Sequence, residues 1–306
     1  MTRAILVTGG GGQLGTELQR CAWPDGYEVV AIDVADLDLT DSAAIVAKVA
    51  ERKWAAVING AAYTAVDKAE SDVVTAWAVN AMAPAAFGAA CAKASIPLVQ
   101  ISTDYVFAGD KHGAWEVDDP VAPLGVYGAS KLGGELAVRT SGARAVIVRT
   151  AWVVSAHGNN FVKTMLRVGA DRETLTVVDD QRGSPTSAAD LAAALMTITL
   201  RLVENDAAPT GTFHFSNAGA TSWAGFAAEI FRQSGTRGGA TANVTPISTD
   251  QYPTPAKRPA NSLLSHTAIR AAYGIEPRPW QDALGDILDE LIGCLLYTSP
   301  SPRDRG

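Results

Sequence analysis

The chain has 306 residues, 47% hydrophobic and 19% charged, a composition that supports one large core or two modest ones and excludes disordered and fibrous classes. Its 25 lysines and arginines against 32 aspartates and glutamates leave a net charge of −7. That balance, with no basic run interleaved with aromatics, argues against a nucleic-acid partner. Cys21, Cys91 and Cys294 are odd in number and widely spaced, which excludes a disulfide framework and a cysteine-based metal site.

The uncharged stretch from Ala81 to Ala92 contains Pro84 and Gly88 and stops at Lys93, short of the ~20 apolar residues of a membrane span. No span is expected. The opening apolar run Ala4-Ile5-Leu6-Val7 is too short for a secretory signal, so the expected location is cytoplasmic. In chain order, Ala4–Gly9, Glu28–Asp33, Ala55–Gly60, Pro97–Thr103 and Ala145–Thr150 read as strands separated by amphipathic or Ala-rich helices. Runs such as Ala145-Val146-Ile147-Val148 are apolar without alternation, as strands of a parallel sheet covered on both faces should be. The fold class is therefore α/β, a doubly wound parallel sheet of Rossmann type with a smaller C-terminal substrate-binding lobe.

After Thr150 the pattern loosens into a helix near Asn160–Val168, a strand Leu175–Asp179, a helix from Ser187 to about Val203, a strand Gly211–Ser216 and a helix from Trp223. Residues 1–150 are assigned to a dinucleotide-binding domain. Residues 151–292 are assigned mainly to the substrate lobe, with some segments returning to the main sheet. Residues 293–306, rich in Pro, Ser and Arg, read as a non-native tail resembling translated cloning-vector sequence.

Two local patterns carry chemistry. Gly9, Gly12 and Gly15 leave the first strand and open a helix with the G-x-x-G-x-x-G spacing that lets a pyrophosphate approach backbone amides. Asp33 ends the second strand about 20 residues on, where a carboxylate can bind an adenosine ribose diol, and by itself favours NADH. Further along, Tyr127 and Lys131 stand at i and i+4 on a helix beginning near Val126. A phenol with pKa near ~10 becomes a competent acid and base for carbonyl chemistry when an ammonium lies beside it, so Lys131 is expected to lower the Tyr127 pKa. Thr103, at the end of the fourth strand, is placed to hydrogen-bond a substrate oxygen. No G-x-S-x-G elbow or H-E-x-x-H signature offers acyl-transfer or metal chemistry instead.

Several longer segments carry a more specific resemblance: GGGGQLG from Gly9, Asn59-Gly60-Ala61-Ala62-Tyr63-Thr64-Ala65-Val66-Asp67, the STDYVF run from Ser102, YGASK from Tyr127, Arg149-Thr150-Ala151-Trp152, Asp180-Gln181-Arg182-Gly183-Ser184-Pro185-Thr186 and Lys257-Arg258-Pro259-Ala260-Asn261-Ser262. Together, from the first strand to about Leu291, they resemble the dTDP-4-dehydrorhamnose reductase family of the extended short-chain dehydrogenase/reductases. The resemblance implies reduction of the 4-keto group of dTDP-4-dehydro-6-deoxy-L-mannose by NADPH or NADH.

Carried over residue by residue, Thr103, Tyr127 and Lys131 match the catalytic trio. Gln13, Leu14, Asp38, Leu39, Ala61, Ala62 and Tyr63 fall on cofactor positions beside Gly9, Gly12, Gly15 and Asp33. Asp104, Trp152, Arg258, Asn261 and Ser262 join Thr103 and Tyr127 on the substrate side. The family often has His where Tyr63 stands. Some members bind Mg²⁺ through three glutamates at a dimer interface; Glu17 and Glu290 align with two of them, Ala189 takes the third place and Asp190 lies one residue off. The expected state is a monomer or homodimer with a small nucleotide-sugar substrate. Rival implications are a nucleotide-sugar epimerase or 4,6-dehydratase, disfavoured because Tyr105 follows Thr103-Asp104 where a dehydratase has a second acid, and a non-catalytic regulatory subunit of the methionine adenosyltransferase type, disfavoured by the intact trio.

Overall fold

The structure, a computed structural model, describes residues 2–298. The first half runs β1 (Arg3–Thr8), α1 (Gln13–Arg20), β2 (Tyr27–Ile32), α2 (Ser42–Ala50), β3 (Ala56–Asn59), α3 (Val66–Ala69), α4 (Val73–Trp77), α5 (Ala83–Ala94), β4 (Leu98–Thr103), α6 (Val126–Thr140) and β5 (Ala145–Thr150). The second half continues through β6 (Val153–Val154), α7 (Phe161–Gly169), β7 (Thr174–Val178), β8 (Arg182–Gly183), β9 (Thr186–Ser187), α8 (Ala188–Glu204), β10 (Gly211–His214), β11 (Thr221–Ser222), α9 (Trp223–Thr236), β12 (Asn243–Ile247), α10 (Thr267–Tyr273) and α11 (Trp280–Thr298).

Six parallel strands form the central sheet in the order β2-β1-β3-β4-β5-β10. The apolar runs are continuous because each strand feeds two cores. Ile5, Val7, Ile58, Val99 and Val148 face a core closed by Leu18 of α1, Leu191 and Leu195 of α8 and Ile269 of α10. Ala4, Leu6, Val57, Leu98 and Ile147 face the opposite one, closed by Ile45 of α2, Phe87 of α5 and Val138 of α6. Order reverses between β1 and β3, and in open sheets of this kind the crevice beyond the carboxyl ends at that reversal is where ligands bind.

The segment after Thr150 does not form a separate body. Its α8, β10 and α10 complete the sheet and its cover, while short two-stranded sheets β6·β9, β8·β11 and β7·β12 build the lobe around a core of Val162, Phe226, Ile230, Leu284 and Leu288. The backbone of α11 continues through Thr298; residues 299–306 of the proposed tail lie outside the described residues.

One sequence expectation is corrected. Val73–Ala94 is a single helix, with a π-helical segment at Ala78–Met82 joining α4 to α5, and by length and composition alone it is long and apolar enough to cross a bilayer. Pro84 does not interrupt it because it sits just past the π-helical segment, where the regular i→i−4 ladder is already displaced. Half of its apolar window is buried, and Ala83, Phe87 and Cys91 pack against the sheet, so its apolarity is used as core.

Beneath α6 lies a buried ion pair. Glu135 takes both Arg149 Nε and Nη2 at 2.8 Å and the Ser102 hydroxyl at 2.5 Å, with Arg149 and Glu135 each 1% exposed. Removing one partner strands a charge out of water. Arg149→Met is expected to lower the unfolding free energy by about 3–5 kcal/mol in urea titrations; a loss below about 1 kcal/mol would show that the pair contributes little to holding α6 on the sheet.

Candidate active site

A cleft of about 780 Å³ opens at the carboxyl ends of β1 to β5, a size that suits a dinucleotide with part of a second ligand. Its floor at one end is the glycine loop. Gly9 adopts φ +75°, which a side chain would resist, and a Cβ on Gly15 would lie 2.0 Å from the Gly9 carbonyl oxygen, so α1 starts against the end of β1 only because Gly15 has none. Side chains of Asp41, Asn160, Ser187 and Ser222 cap α2, α7, α8 and α9, whereas α1 begins at Gly12 with no side-chain cap. Its first-turn N–H groups and the positive end of its dipole face the cleft.

The sequence-expected cofactor residues largely converge here. Gly12, Gln13, Leu14, Asp33, Asp38, Leu39, Ala61 and Ala62 line the cleft with Gly9 and Gly15. Asp33 Oδ2 accepts from Gly11 N at 2.9 Å, tying the end of β2 to the glycine loop. Asp38 accepts from the Thr40 N–H and hydroxyl, both at 2.8 Å, which holds its carboxyl below the usual range. Tyr63 is not in the lining; its hydroxyl donates to Asp72 at 3.0 Å, which fixes the loop from outside.

At the other end stand Thr103, Asp104, Tyr127, Lys131 and Trp152. The Thr103 hydroxyl donates to Asp104 Oδ1 at 2.9 Å and accepts from Tyr105 N at 3.2 Å. Burial lifts the Asp104 carboxyl to about 6, against the pull of the Ser262 and Thr103 hydroxyls. A Cβ on Gly128 would meet the Tyr105 carbonyl oxygen at 2.2 Å, so this glycine brings α6, and Tyr127 with it, up to the Thr103 segment. The Tyr105 and Tyr127 rings meet edge to face at 5.3 Å.

The net shift of Tyr127 is upward, where its spacing from Lys131 suggests a lowering. Burial raises the phenol to about 12, with the Thr103 hydroxyl pulling the other way, and the ammonium is turned to the Ile101 carbonyl oxygen at 2.6 Å. Lys131 is itself lowered to about 8 by the same burial, with Glu135 opposing. Both shifts follow from removing water from a group that ionises in the opposite sense.

Trp152 forms one wall of the cleft. Its backbone is left-handed at φ +49°, a conformation that costs a bulky residue roughly 1–2 kcal/mol. Its ring stacks on Trp223 at 3.7 Å between centroids, and a Cβ on Gly183 would lie 2.6 Å from it.

The remaining expected residues lie off the cleft lining. Arg258 is paired with Asp67 at 2.7 Å. The Asn261 amide donates to the carbonyl oxygens of Lys111 and Gly113 at 2.8 and 2.7 Å, and Ser262 reaches Asp104. Glu17 and Glu290 are both engaged by Arg20, which lies between them, 3.7 and 2.7 Å from their carboxylates, and Asp190 is paired with Arg278. Among the described residues no cluster of three or more His, Cys, Asp or Glu is arranged to hold a metal. Sequence reasoning missed Asn80, in the π-helical segment, which accepts from Tyr63 N at 2.9 Å and donates to the Tyr63 carbonyl oxygen and the Ser130 hydroxyl at 3.1 Å, clamping the Ala61–Tyr63 loop to α6. Its only sequence signal is an amide inside an Ala-rich helix.

Residues 2–292 match the family described as the RmlD substrate binding domain. The chain belongs to the dTDP-4-dehydrorhamnose reductase family. A curated dTDP-4-dehydrorhamnose reductase from Aggregatibacter actinomycetemcomitans is 40% identical over 292 residues, 92% of this chain and 97% of that protein. The crystal structure of the Clostridium acetobutylicum reductase superposes with a TM-score of 0.88 at 41% identity, covering 94% of this chain and 99% of the other. That of the Bacillus anthracis reductase, solved in complex with NADP, gives a TM-score of 0.88 at 36% identity, covering 95% and 100%. Like these dTDP-4-dehydrorhamnose reductases, this chain is an oxidoreductase.

The Gly128 contact generates a test. Gly128→Ala is expected to cost about 1–3 kcal/mol in urea unfolding, because α6 must back away from the Tyr105 carbonyl; unchanged stability would mean that the contact yields freely.

Proposed function

We propose that this chain reduces the 4-keto group of dTDP-4-dehydro-6-deoxy-L-mannose (dTDP-4-dehydrorhamnose) to give dTDP-L-rhamnose, with NADPH or NADH as reductant, in the cytoplasm. The observation that carries the reading is the convergence of Thr103, Tyr127 and Lys131 on one end of a cleft whose other end is a glycine-rich helix N-terminus. The Bacillus anthracis relative, crystallised with NADP, supports the cofactor class. Independently, the cofactor fits what stands here: the Gly15 contact leaves room for no side chain at the loop, α1 has no side-chain cap, and Asp33 offers a carboxylate where an adenosine ribose would lie.

Gly9, Gly12, Gln13, Leu14 and Gly15 would hold the pyrophosphate, Asp33, Asp38 and Leu39 the adenosine, Ala61 and Ala62 the middle of the dinucleotide, and Lys131 the nicotinamide ribose. The bound nicotinamide supplies a hydride to the carbonyl carbon. Thr103 and Tyr127 orient the substrate carbonyl oxygen through their hydroxyls. As negative charge gathers on that oxygen, the Tyr127 phenol gives up its proton to it; a phenol held at about 12 is fully protonated at neutral pH and so has a proton to give. The Lys131 ammonium, one turn along α6, would stabilise the phenolate left behind. Trp152 closes the substrate side with its indole face. Elimination chemistry lacks its second acid: Tyr105 stands in that place, and burial beside Asp104 pushes its phenol far above the neutral range.

Tyr127→Phe is expected to lower kcat at least about tenfold, some 1.4 kcal/mol of transition-state stabilisation, while leaving dinucleotide affinity within about twofold. Oxidation of NADPH and NADH, followed optically with dTDP-4-dehydrorhamnose supplied, measures it; undiminished turnover would remove Tyr127 from the reaction. The sign of the pH dependence follows from Lys131, whose ammonium is lost as pH rises through about 8. Reductive turnover should hold below that pH and decline above it, and Lys131→Met should flatten this alkaline limb; a limb that persists in the variant belongs to another group.

A further inference from the structure

Three polar side chains interrupt the apolar strands under the cleft, and the register of the sheet sets them in one row: Thr8 lies opposite Asn59, and Asn59 opposite Gln100. All are buried, at 2%, 0% and 2% exposure. Their hydrogen bonds run in a single donor direction. Ala61 N donates to Thr8 Oγ1 at 3.2 Å, Thr8 Oγ1 to Asn59 Oδ1 at 2.6 Å, Asn59 Nδ2 to Gln100 Oε1 at 2.8 Å, and Gln100 Nε2 to the Ile101 carbonyl oxygen at 2.9 Å.

That carbonyl is also the acceptor for Lys131 Nζ at 2.6 Å. A carbonyl can only accept, so Gln100 must present its NH₂ there and its oxygen to Asn59, which in turn must present its own oxygen to Thr8. The direction of the whole row is thus set at the end that holds Lys131. With both lone pairs of the Ile101 oxygen filled, one by the amide and one by the ammonium, the carbonyl has no free orientation and the ammonium one seat.

We infer that Gln100, anchored by Asn59, is a positioning residue for Lys131: its amide fixes the Ile101 carbonyl, which fixes where the ammonium stands in the cleft. The inference rests on the reductase reading, in which Lys131 serves the cofactor ribose and the phenol. Gln100 itself touches neither ligand.

The test places Gln100→Leu, and the unbranched Gln100→Met, into the full chain with and without Lys131→Met. Thermal melts verify folding, and single-turnover rates keep slow variants readable. Gln100→Leu is expected to lower the rate about fivefold or more, to leave the KM for dTDP-4-dehydrorhamnose within about twofold, and to add less than about twofold to the loss already caused by Lys131→Met. Gln100→Met keeps the length of the side chain but cannot donate to Ile101, so it should show the same loss and the same non-additivity. An equal loss in both backgrounds, a loss confined to KM, or full activity in either folded Gln100 variant would overturn the inference and leave the row as a tie between strands. Full activity of Lys131→Met alone would instead overturn the reductase reading.

Discussion

Keeping a phenol and an ammonium out of water at the end of β4 is the constraint around which the cleft is built. Burial favours the neutral form of each, so it acts on Tyr127 and Lys131 in opposite directions, toward about 12 and about 8. The phenol therefore keeps its proton at neutral pH. The ammonium survives because the Ile101 carbonyl faces it and because Glu135, one turn along α6, adds a favourable charge. Glu135 is itself buried and is held by Arg149, Ser102 and Arg139. The charge state of the cleft therefore reaches back through α6 into an ion pair that packs against the sheet, and stability and chemistry share the same side chains.

Close backbone approach does the rest of the positioning. Gly15 lets α1 start against the Gly9 carbonyl, so unpaired N–H groups face the cleft, and Gly128 lets α6 settle on the Tyr105 carbonyl, so Tyr127 reaches Thr103. At Gly183 the missing side chain leaves space for the Trp152 indole, whose left-handed backbone is held by stacking on Trp223. Stacking an indole pair is worth about 0.5–1.5 kcal/mol beyond area burial, comparable to the strain it offsets.

What could be read from the sequence was local. The strands declared themselves by continuous apolar runs, because both faces of the sheet are covered, and the residues of the G-x-x-G-x-x-G and Tyr-x-x-x-Lys spacings line one cleft because a loop and a helix turn fix short separations. The direction of the Tyr127 shift was not legible: spacing puts Lys131 on the same face but says nothing of the Ile101 carbonyl that captures it. Thr8, Asn59 and Gln100 each look like a lone polar interruption, and only the pairing of β1, β3 and β4 makes them a row. The Arg20 contacts beside Glu17 and Glu290 were hidden for a related reason. Arg20 is visible three residues after Glu17, but its contact with Glu290 joins positions 270 apart.

The same long-range logic applies to the segment carrying Arg258, Asn261 and Ser262. Asn261 ties it to the Lys111–Gly113 loop, Trp115 Nε1 donates to the Asn261 carbonyl oxygen at 3.0 Å, and Arg258 pairs with Asp67 beside the Ala61–Tyr63 loop. A C-terminal segment is in this way sewn to the first half of the chain at two places. The Arg258–Asp67 pair also bears on how an anionic ligand would be met. A bare guanidinium in a partly buried site would have to be desolvated and left without a counterion until substrate arrived, a costly state for a charge. With Asp67 already in place at 2.7 Å, a diphosphate reaching Arg258 would exchange one anionic partner for another, so the cation is never left uncompensated and the net free energy of capture depends on the difference between the two pairings.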